Sequence, residues 1–306
     1  MPYKTKAETI TGKMNGRTRE DQEVKMKVVN TARQLRETII SEKKPDGTTG
    51  FVPTMGALHQ GHLSLVRICK NQNDLTVVSI FVNPTQFNDP NDLRNYPRMP
   101  EKDIALLEGT GCDVVFMPDV KEIYPEPDRR TFDFGGLDKV MEGKHRPGHF
   151  NGVAQVVTRL FRIVEPQRVY FGLKDFQQLA ILKKVVKDSN LPVELIACPI
   201  VREPDGLALS SRNILLTPEQ RTHATRISQT LFMAREMMES HTPDEIRMFV
   251  TERINQDPLL QTEYFEIVND TTLKPVRSWS ETCGKIGCVA VKVGRIRLID
   301  NINFSS

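Results

Sequence analysis

The chain has 306 residues, 39% hydrophobic and 26% charged, enough for the cores of two ordinary domains. Its net charge of +3 comes from acidic and basic residues interleaved along the chain, which argues against a nucleic-acid binder with a basic stripe. No apolar run approaches the roughly 20 residues that span a bilayer, and Met1 to Lys6 lacks the apolar core of a secretory signal, so a cytoplasmic protein is expected.

Residues 1–25 are polar, without apolar periodicity, and read as an extension with no packed role. A strand is expected from residue 26 to 29, and a helix over 31–41 with Ala32, Leu35, Ile39 and Ile40 on one side. A Lys-Lys-Pro-Asp-Gly loop leads to a second strand over 50–54.

That strand runs through Pro53 and Thr54 into Met55-Gly56-Ala57-Leu58 and then His59-Gln60-Gly61-His62, before the helical spacing of Leu63, Leu65, Val66 and Ile68. Two imidazoles therefore sit where a strand ends and a helix begins. Such a junction presents free N–H groups and the positive end of the helix dipole to an anion, and glycine lets a bulky ligand approach. The pair could equally be a capped helix start, or two metal ligands lacking an evident third.

Further strands are expected over 75–82, 114–117, 168–172 and 193–201, alternating with helices over 100–109, 152–164 and 176–189. This alternation predicts an α/β fold, a Rossmann-like doubly wound parallel sheet with its ligand at the carboxyl ends of the strands. After Asn213 the pattern changes to helices over 218–240 and 243–255, then strands over 264–268, 288–293 and 296–299. The expected organisation is a polar extension (1–25), a Rossmann-like catalytic domain (26–205) and a smaller α+β C-terminal lid domain (206–306).

Three more segments carry chemistry. The strand ending at Asn83 presents Gln86, whose amide both donates and accepts and so suits a hydroxy acid, although a capped loop would look the same. Gly172-Leu173-Lys174-Asp175 again joins a strand to a helix. Lys174 stands at the positive end of a dipole, a conflict that a bound phosphate would remove; Asp175 would be the N-cap or a ribose contact, and Gln178 lies one turn on. Leu209-Ser210-Ser211-Arg212, following Val201 and a Pro-Asp-Gly turn, has the composition of a phosphate clamp, or of a polar linker. The segment 145–153, from His145 through His149 to Val153, leads into the 152–164 helix and could form a gate or pocket wall, with His145 and His149 weaker candidates than His59 and His62. The five cysteines read as reduced thiols, with a Cys283–Cys288 hairpin-tip disulfide or half of a metal site as the alternatives.

Four motifs together resemble the pantoate–β-alanine ligase (pantothenate synthetase) family of the nucleotidyltransferase superfamily. They are Pro-Thr-Met-Gly-Ala-Leu-His-x-Gly-His at 53–62, Phe-Val-Asn-Pro-x-Gln-Phe at 81–87, Gly-x-Lys-Asp-Phe-Gln-Gln at 172–178, and Arg-Glu-x-Asp-Gly-Leu-Ala-x-Ser-Ser-Arg-Asn at 202–213. The resemblance implies ATP- and Mg²⁺-dependent condensation of (R)-pantoate with β-alanine through a pantoyl-adenylate, by a homodimer. It implies ATP contacts from Pro53, Thr54, Met55, Gly56, Ala57, Leu58, His59, Gln60, Gly61 and His62, from Gly172, Leu173, Lys174 and Asp175, and from Val201, Leu209, Ser210, Ser211 and Arg212. Gln86 and Gln178 would hold pantoate, and Gln86 also β-alanine. His62 would be the general acid, with His59, Lys174 and Arg212 beside it in catalysis.

Leu173 departs from the polar residue usual in the family, which leaves only its backbone as a contact. The acidic residues that the resemblance implies for Mg²⁺ after Tyr96-Pro97-Arg98 are only partly kept; Asp103 is the metal candidate, weakened by the adjacent Lys102, so Mg²⁺ is expected mainly on the nucleotide phosphates and waters. Two other readings are a related adenylating ligase for a different acid, and a non-catalytic nucleotide sensor or RNA-binding relative. The intact His, Lys and Ser-Ser-Arg set argues against a sensor, and the mild charge against RNA.

Overall fold

The computed structural model describes residues 26–305; the extension expected over 1–25 lies outside the described residues. Strands β1 (Lys27–Val29), β2 (Thr49–Thr54), β3 (Leu75–Ile80), β4 (Val114–Phe116), β5 (Arg168–Gly172) and β6 (Glu194–Cys198) form one parallel sheet in the order β1-β4-β3-β2-β5-β6. Parallel strands need crossovers, and these put helices on both faces. Strand residues accordingly alternate between two cores. Phe51, Val77, Val169 and Phe171 face α1 (Ala32–Glu42), α7 (His149–Val164) and α8 (Phe176–Asp188). Val52, Val78, Val115 and Tyr170 face α2 (Gln60–Gln72) and α4 (Pro100–Leu107).

Local chemistry sets the helix limits. Thr31 and Gln34 form a capping box on α1. Helix α2 buries Leu63, Leu65, Val66 and Cys69, each large apolar side chain contributing about 1.5–3 kcal/mol. Its end is tied to β5 by the buried Tyr170, whose hydroxyl accepts from Asn73 Nδ2 at 2.7 Å and donates to Gln72 Oε1 at 2.9 Å. The 149–164 helix starts three residues before its expected position, because Gly148 takes a φ of 80° and turns the chain into it. Strand β6 stops at Cys198, short of the expected 201, just before Pro199, which lacks the N–H to continue the ladder.

Three short helices escape the sequence reading: α3 (Pro90–Asn95), α5 (Val120–Ile123) and α6 (Met141–His145). None is long enough to repeat an apolar period. Beyond them, α9 (Pro218–Glu236) and α10 (Pro243–Asn255) begin with Thr capping boxes and Pro in the first turn. They cover an antiparallel sheet of β7 (Leu260–Asn269), β8 (Lys285–Val293) and β9 (Ile296–Asn303), with its own core around Ile227, Leu231, Ile246, Ile267 and Val289. Its strands outrun the expected ones because polar residues that interrupt the apolar runs, among them Lys285, Asp300 and Asn301, are themselves buried in the ladder. All five cysteines are free thiols. No helix among the described residues is long and apolar enough to cross a membrane.

A buried charge cluster joins α6 to the antiparallel sheet. Glu142 of α6 accepts from both Arg297 terminal nitrogens of β9 at 2.7 Å and from the Tyr264 hydroxyl of β7 at 2.7 Å. Arg297 also holds Glu263, at 2.6 Å. Burial alone would raise the Glu142 carboxyl, but the Arg297 bonds and charge override it and hold the group at about 2. The native state then binds fewer protons than the unfolded chain between the ordinary 4.5 and about 2. This stabilisation is full above 4.5 and is lost as pH falls through that window. Arg297→Ala should cost about 3–5 kcal/mol at neutral pH by stripping the buried Glu142 carboxylate of its bidentate partner and leaving only Tyr264 and the more distant Arg146, read by urea unfolding; a loss under about 1 kcal/mol would show that the pair is not buried in solution.

Candidate active site

The chain leaves β2 toward one face of the sheet and β5 toward the other, so the sheet order reverses between these neighbouring strands. A crevice opens beyond their carboxyl ends, the position where doubly wound sheets bind ligands. It holds a cavity of about 230 Å³, which meets a larger cleft of about 1270 Å³ running toward β9 at Lys174, Asp175, Gln178, Ser210 and Arg212.

The turn after β2 is bent through two residues of positive φ, Gly56 at 82° and Ala57 at 48°. The alanine bears a steric cost of about 1–2 kcal/mol there. Asp103 of α4, 1% exposed, offsets it. Its carboxylate accepts from the Ala57 N–H at 2.9 Å and the Leu58 N–H at 2.7 Å. Burial still pushes the Asp103 carboxyl up, against those two bonds. From the other side, Ser211 Oγ donates to the Ala57 carbonyl at 3.0 Å, joining the first motif to the fourth.

The two imidazoles cap α2 reciprocally. The Gly61 N–H donates to His59 Nδ1 at 3.1 Å, and the His59 N–H donates to His62 Nδ1 at 3.3 Å. The rings lie 4.1 Å apart between centroids. A side chain at position 61 would strike the His59 ring at 2.9 Å, hence the glycine. Burial, then the Lys174 charge, lowers His59 to about 4; burial, then His59 and Lys174, holds His62 well below its ordinary value. Both rings are therefore neutral at pH 7. With Nδ1 accepting, each carries its proton on Nε2, a free donor.

On the opposite wall, Gln86 ends a 3₁₀ turn (Pro84–Gln86). Asn83 Nδ2 donates to Gln86 Oε1 at 3.1 Å and to the Gly152 carbonyl at 3.1 Å. The Gln86 amide nitrogen is left as the donating end, 3.0 Å from Met55 Sδ. His149, 6% exposed, bonds the Gln86 carbonyl through Nδ1 at 2.8 Å while its Nε2 meets Arg146 Nη1 at 3.2 Å. A guanidinium only donates, so Nε2 accepts and Nδ1 donates. Burial and Arg146 lower His149 to about 4, which keeps this strut neutral.

The sequence model of the pantoate–β-alanine ligase family matches residues 27–303. The chain belongs to that family. The pantothenate synthetases of Porphyromonas gingivalis and Bacteroides fragilis are each 52% identical to it over 279 residues, 91% of this chain and 99% of theirs. The crystal structure of pantothenate synthetase from Thermus thermophilus superimposes with a TM-score of 0.86 at 43% identity, covering 92% of this chain and 100% of that one. The pantoate–β-alanine ligase of Francisella tularensis, complexed with β,γ-ATP and β-alanine, gives a TM-score of 0.78 at 36% identity, covering 92% and 99%.

For this member of the pantoate–β-alanine ligases, the expected residues converge. Pro53, Thr54, Met55, His59, Gly61, His62, Gln86, Gly172, Lys174, Asp175, Gln178, Val201, Leu209, Ser210, Ser211 and Arg212 all line the cavity. Gly56, Ala57, Leu58, Gln60 and Leu173 do not; the Ala57 and Leu58 amides are engaged by Asp103. Asp103 itself is not open to a metal, because its oxygens hold the turn. No group of three or more His, Cys, Asp or Glu among the described residues has metal-binding geometry.

Asp175 precedes α8 without making a side-chain cap. Arg212 is paired with Asp92 at 2.8 Å and lies over the Tyr96 ring at 5.6 Å, so its charge is shared rather than free. His145 stacks on Tyr264 in the larger cleft, away from the cavity. Val153, in the expected wall segment, does line the cavity, but the sequence reading misses the rest of that apolar wall, Val156, Val157 and Leu160 on α7, whose helical spacing looks like any core face. It also misses Tyr96. Expected for the free protein by histidine NMR is a His59 midpoint near 4 and no titration of either His59 or His62 close to 6.5; a midpoint near 6.5 for both rings would contradict their burial against Lys174.

Proposed function

We propose that this cavity condenses (R)-pantoate with β-alanine at the expense of ATP, giving pantothenate, AMP and diphosphate through an enzyme-bound pantoyl-adenylate. The observation that carries this reading is the meeting of Lys174, two neutral imidazole donors and the Gln86 and Gln178 amides around one cavity at the sheet reversal. The ATP and β-alanine of the Francisella tularensis complex support it.

A carboxylate is a poor acyl electrophile. In the first step a pantoate carboxylate oxygen attacks the α-phosphorus of ATP, the bond to the bridging oxygen breaks, and the electron pair leaves with diphosphate. Charge grows on the phosphate oxygens, where fixed donors help most. Lys174, the Nε2–H groups of His59 and His62 and the amino end of α2 face that charge. His62 enters as a hydrogen-bond donor; the general-acid role requires the bound triphosphate to raise its pKa, as an opposite charge does.

Gln86, oriented by Asn83 and His149, and Gln178 hold the hydroxy acid. In the second step the β-alanine amine attacks the acyl carbon, the C–O bond to AMP breaks, and the amine loses its proton.

Mg²⁺ fits as part of the incoming nucleotide, carried on phosphates and waters, since the donor set offers no carboxylate cluster for a resident ion. We also propose that 26–205 acts as the catalytic unit and 206–306 as a closing lid that excludes water from the adenylate. The cytoplasm is the proposed location and a homodimer the proposed assembly, which sedimentation tests.

Diphosphate–ATP exchange that requires pantoate but not β-alanine is the expected behaviour; exchange with a different acid, and none with pantoate, would reassign the substrate. His62→Ala should lower that exchange by about 10²–10³-fold with ATP binding changed only a few-fold, since its bond strengthens as charge develops. Equal losses in rate and binding would make His62 a binding residue only.

A further inference from the structure

Strand β9 reaches back to the cavity. Asn301, 6% exposed, donates through Nδ2 to the Leu173 carbonyl at 2.8 Å and to the Lys174 carbonyl at 3.0 Å. These carbonyls lie on a 3₁₀ turn (Leu173–Asp175) that has no capping side chain of its own. One amide from a distant strand thus grips two consecutive peptide units, which fixes both the place and the tilt of the turn.

Asn301 is itself held. Its N–H donates to Asp300 Oδ1 at 2.7 Å, and its carbonyl accepts from Arg202 Nη2 at 3.2 Å. Arg202 forks onto Asp300, 4% exposed, at 2.6 and 2.9 Å and also donates to the Gly206 carbonyl at 3.1 Å. Arg202 opens the segment that ends in Ser210-Ser211-Arg212. Arg202, Asp300 and Asn301 therefore connect the base of the Ser-Ser-Arg segment to the root of Lys174.

We propose that Asn301 is a positioning residue for the reaction: by holding the Leu173 and Lys174 carbonyls against β9 it sets the direction from which the Lys174 ammonium enters the cavity. The inference rests on the reading that Lys174 stabilises phosphate charge. A lysine stem has many rotamers, so its aim depends on its root and on the walls around it. The Lys174 side chain is only 17% exposed and lines the same cavity as His59 and His62, so its aim follows the placement of its root. A shift of about 1 Å in a charge-stabilising group costs up to about 10²-fold in rate.

A joint that merely holds the two sheets together would not act through Lys174, and a double-mutant cycle separates the two. Pantoate-dependent diphosphate–ATP exchange is measured on the full chain as wild type, Asn301→Ala, Lys174→Ala and the double variant. Asn301→Ala is expected to lower the maximal rate about tenfold with the pantoate KM within about twofold, and to change the rate of Lys174→Ala by less than about twofold. The same fractional loss in both backgrounds, or a loss confined to KM, overturns the proposal alone.

An unchanged rate in Lys174→Ala overturns it together with the reading of Lys174. If Asn301→Ala does not fold, Asn301→Asp, which keeps the volume and removes both donors, goes through the same cycle. Failure of both to fold makes Asn301 a folding residue and likewise overturns the proposal.

Discussion

Two neighbouring parallel strands whose chains depart to opposite faces leave a gap that no crossover helix can fill. Helix α2 packs Leu63 and Val66 onto one face after β2, and α8 packs Leu179 and Leu182 onto the other after β5. The loops leaving β2 and β5 must therefore diverge at the sheet edge. Both loops begin helices, and both carry chemistry, so His59, His62 and Lys174 meet although more than a hundred residues separate them. The Gln86 turn, packed directly on α7 at Gly152, and the Ser-Ser-Arg segment close the remaining sides.

Burial then decides what these groups are. Histidines at a helix start look like cations in waiting, but next to Lys174 and out of water the lower-energy state is neutral. That choice has a structural use: each Nδ1 is committed to capping the helix, so each Nε2–H is aimed and fixed in advance. Donors that need no reorganisation are what a developing phosphate charge rewards. The loop geometry is preorganised by the same logic. Asp103 and Ser211 hold the Ala57 turn from two sides, one on its N–H groups and one on its carbonyl.

Much of this was legible in the sequence, for identifiable reasons. Short β-rich apolar runs alternating with helical spacing point to a parallel sheet, because a strand buried on both faces and its crossover helix each leave a distinct pattern. Pro218 and Pro243 mark their helix starts. Lys174 betrays itself by standing where a helix dipole disfavours a cation. What stayed hidden depends on contacts between distant segments. Nothing near Asp103 says that it will bind backbone 45 residues away, and the family resemblance pointed to a metal instead. Arg212 offered a free guanidinium until α3, too short to be read, brought Asp92 beside it. The histidines' charge state follows from their burial, and burial is settled only when the sheet, the loops and α7 are assembled.

The central claim is that the cavity joins a pantoate carboxylate oxygen to the α-phosphorus of ATP before the amine arrives. Pantoate labelled with oxygen-18 in its carboxylate, converted with ATP and β-alanine and analysed by mass spectrometry, tests this directly. The account predicts one labelled oxygen in AMP, because the P–O bond made in the first step survives when the amine breaks the C–O bond. Unlabelled AMP, or label recovered in diphosphate or inorganic phosphate, would contradict it.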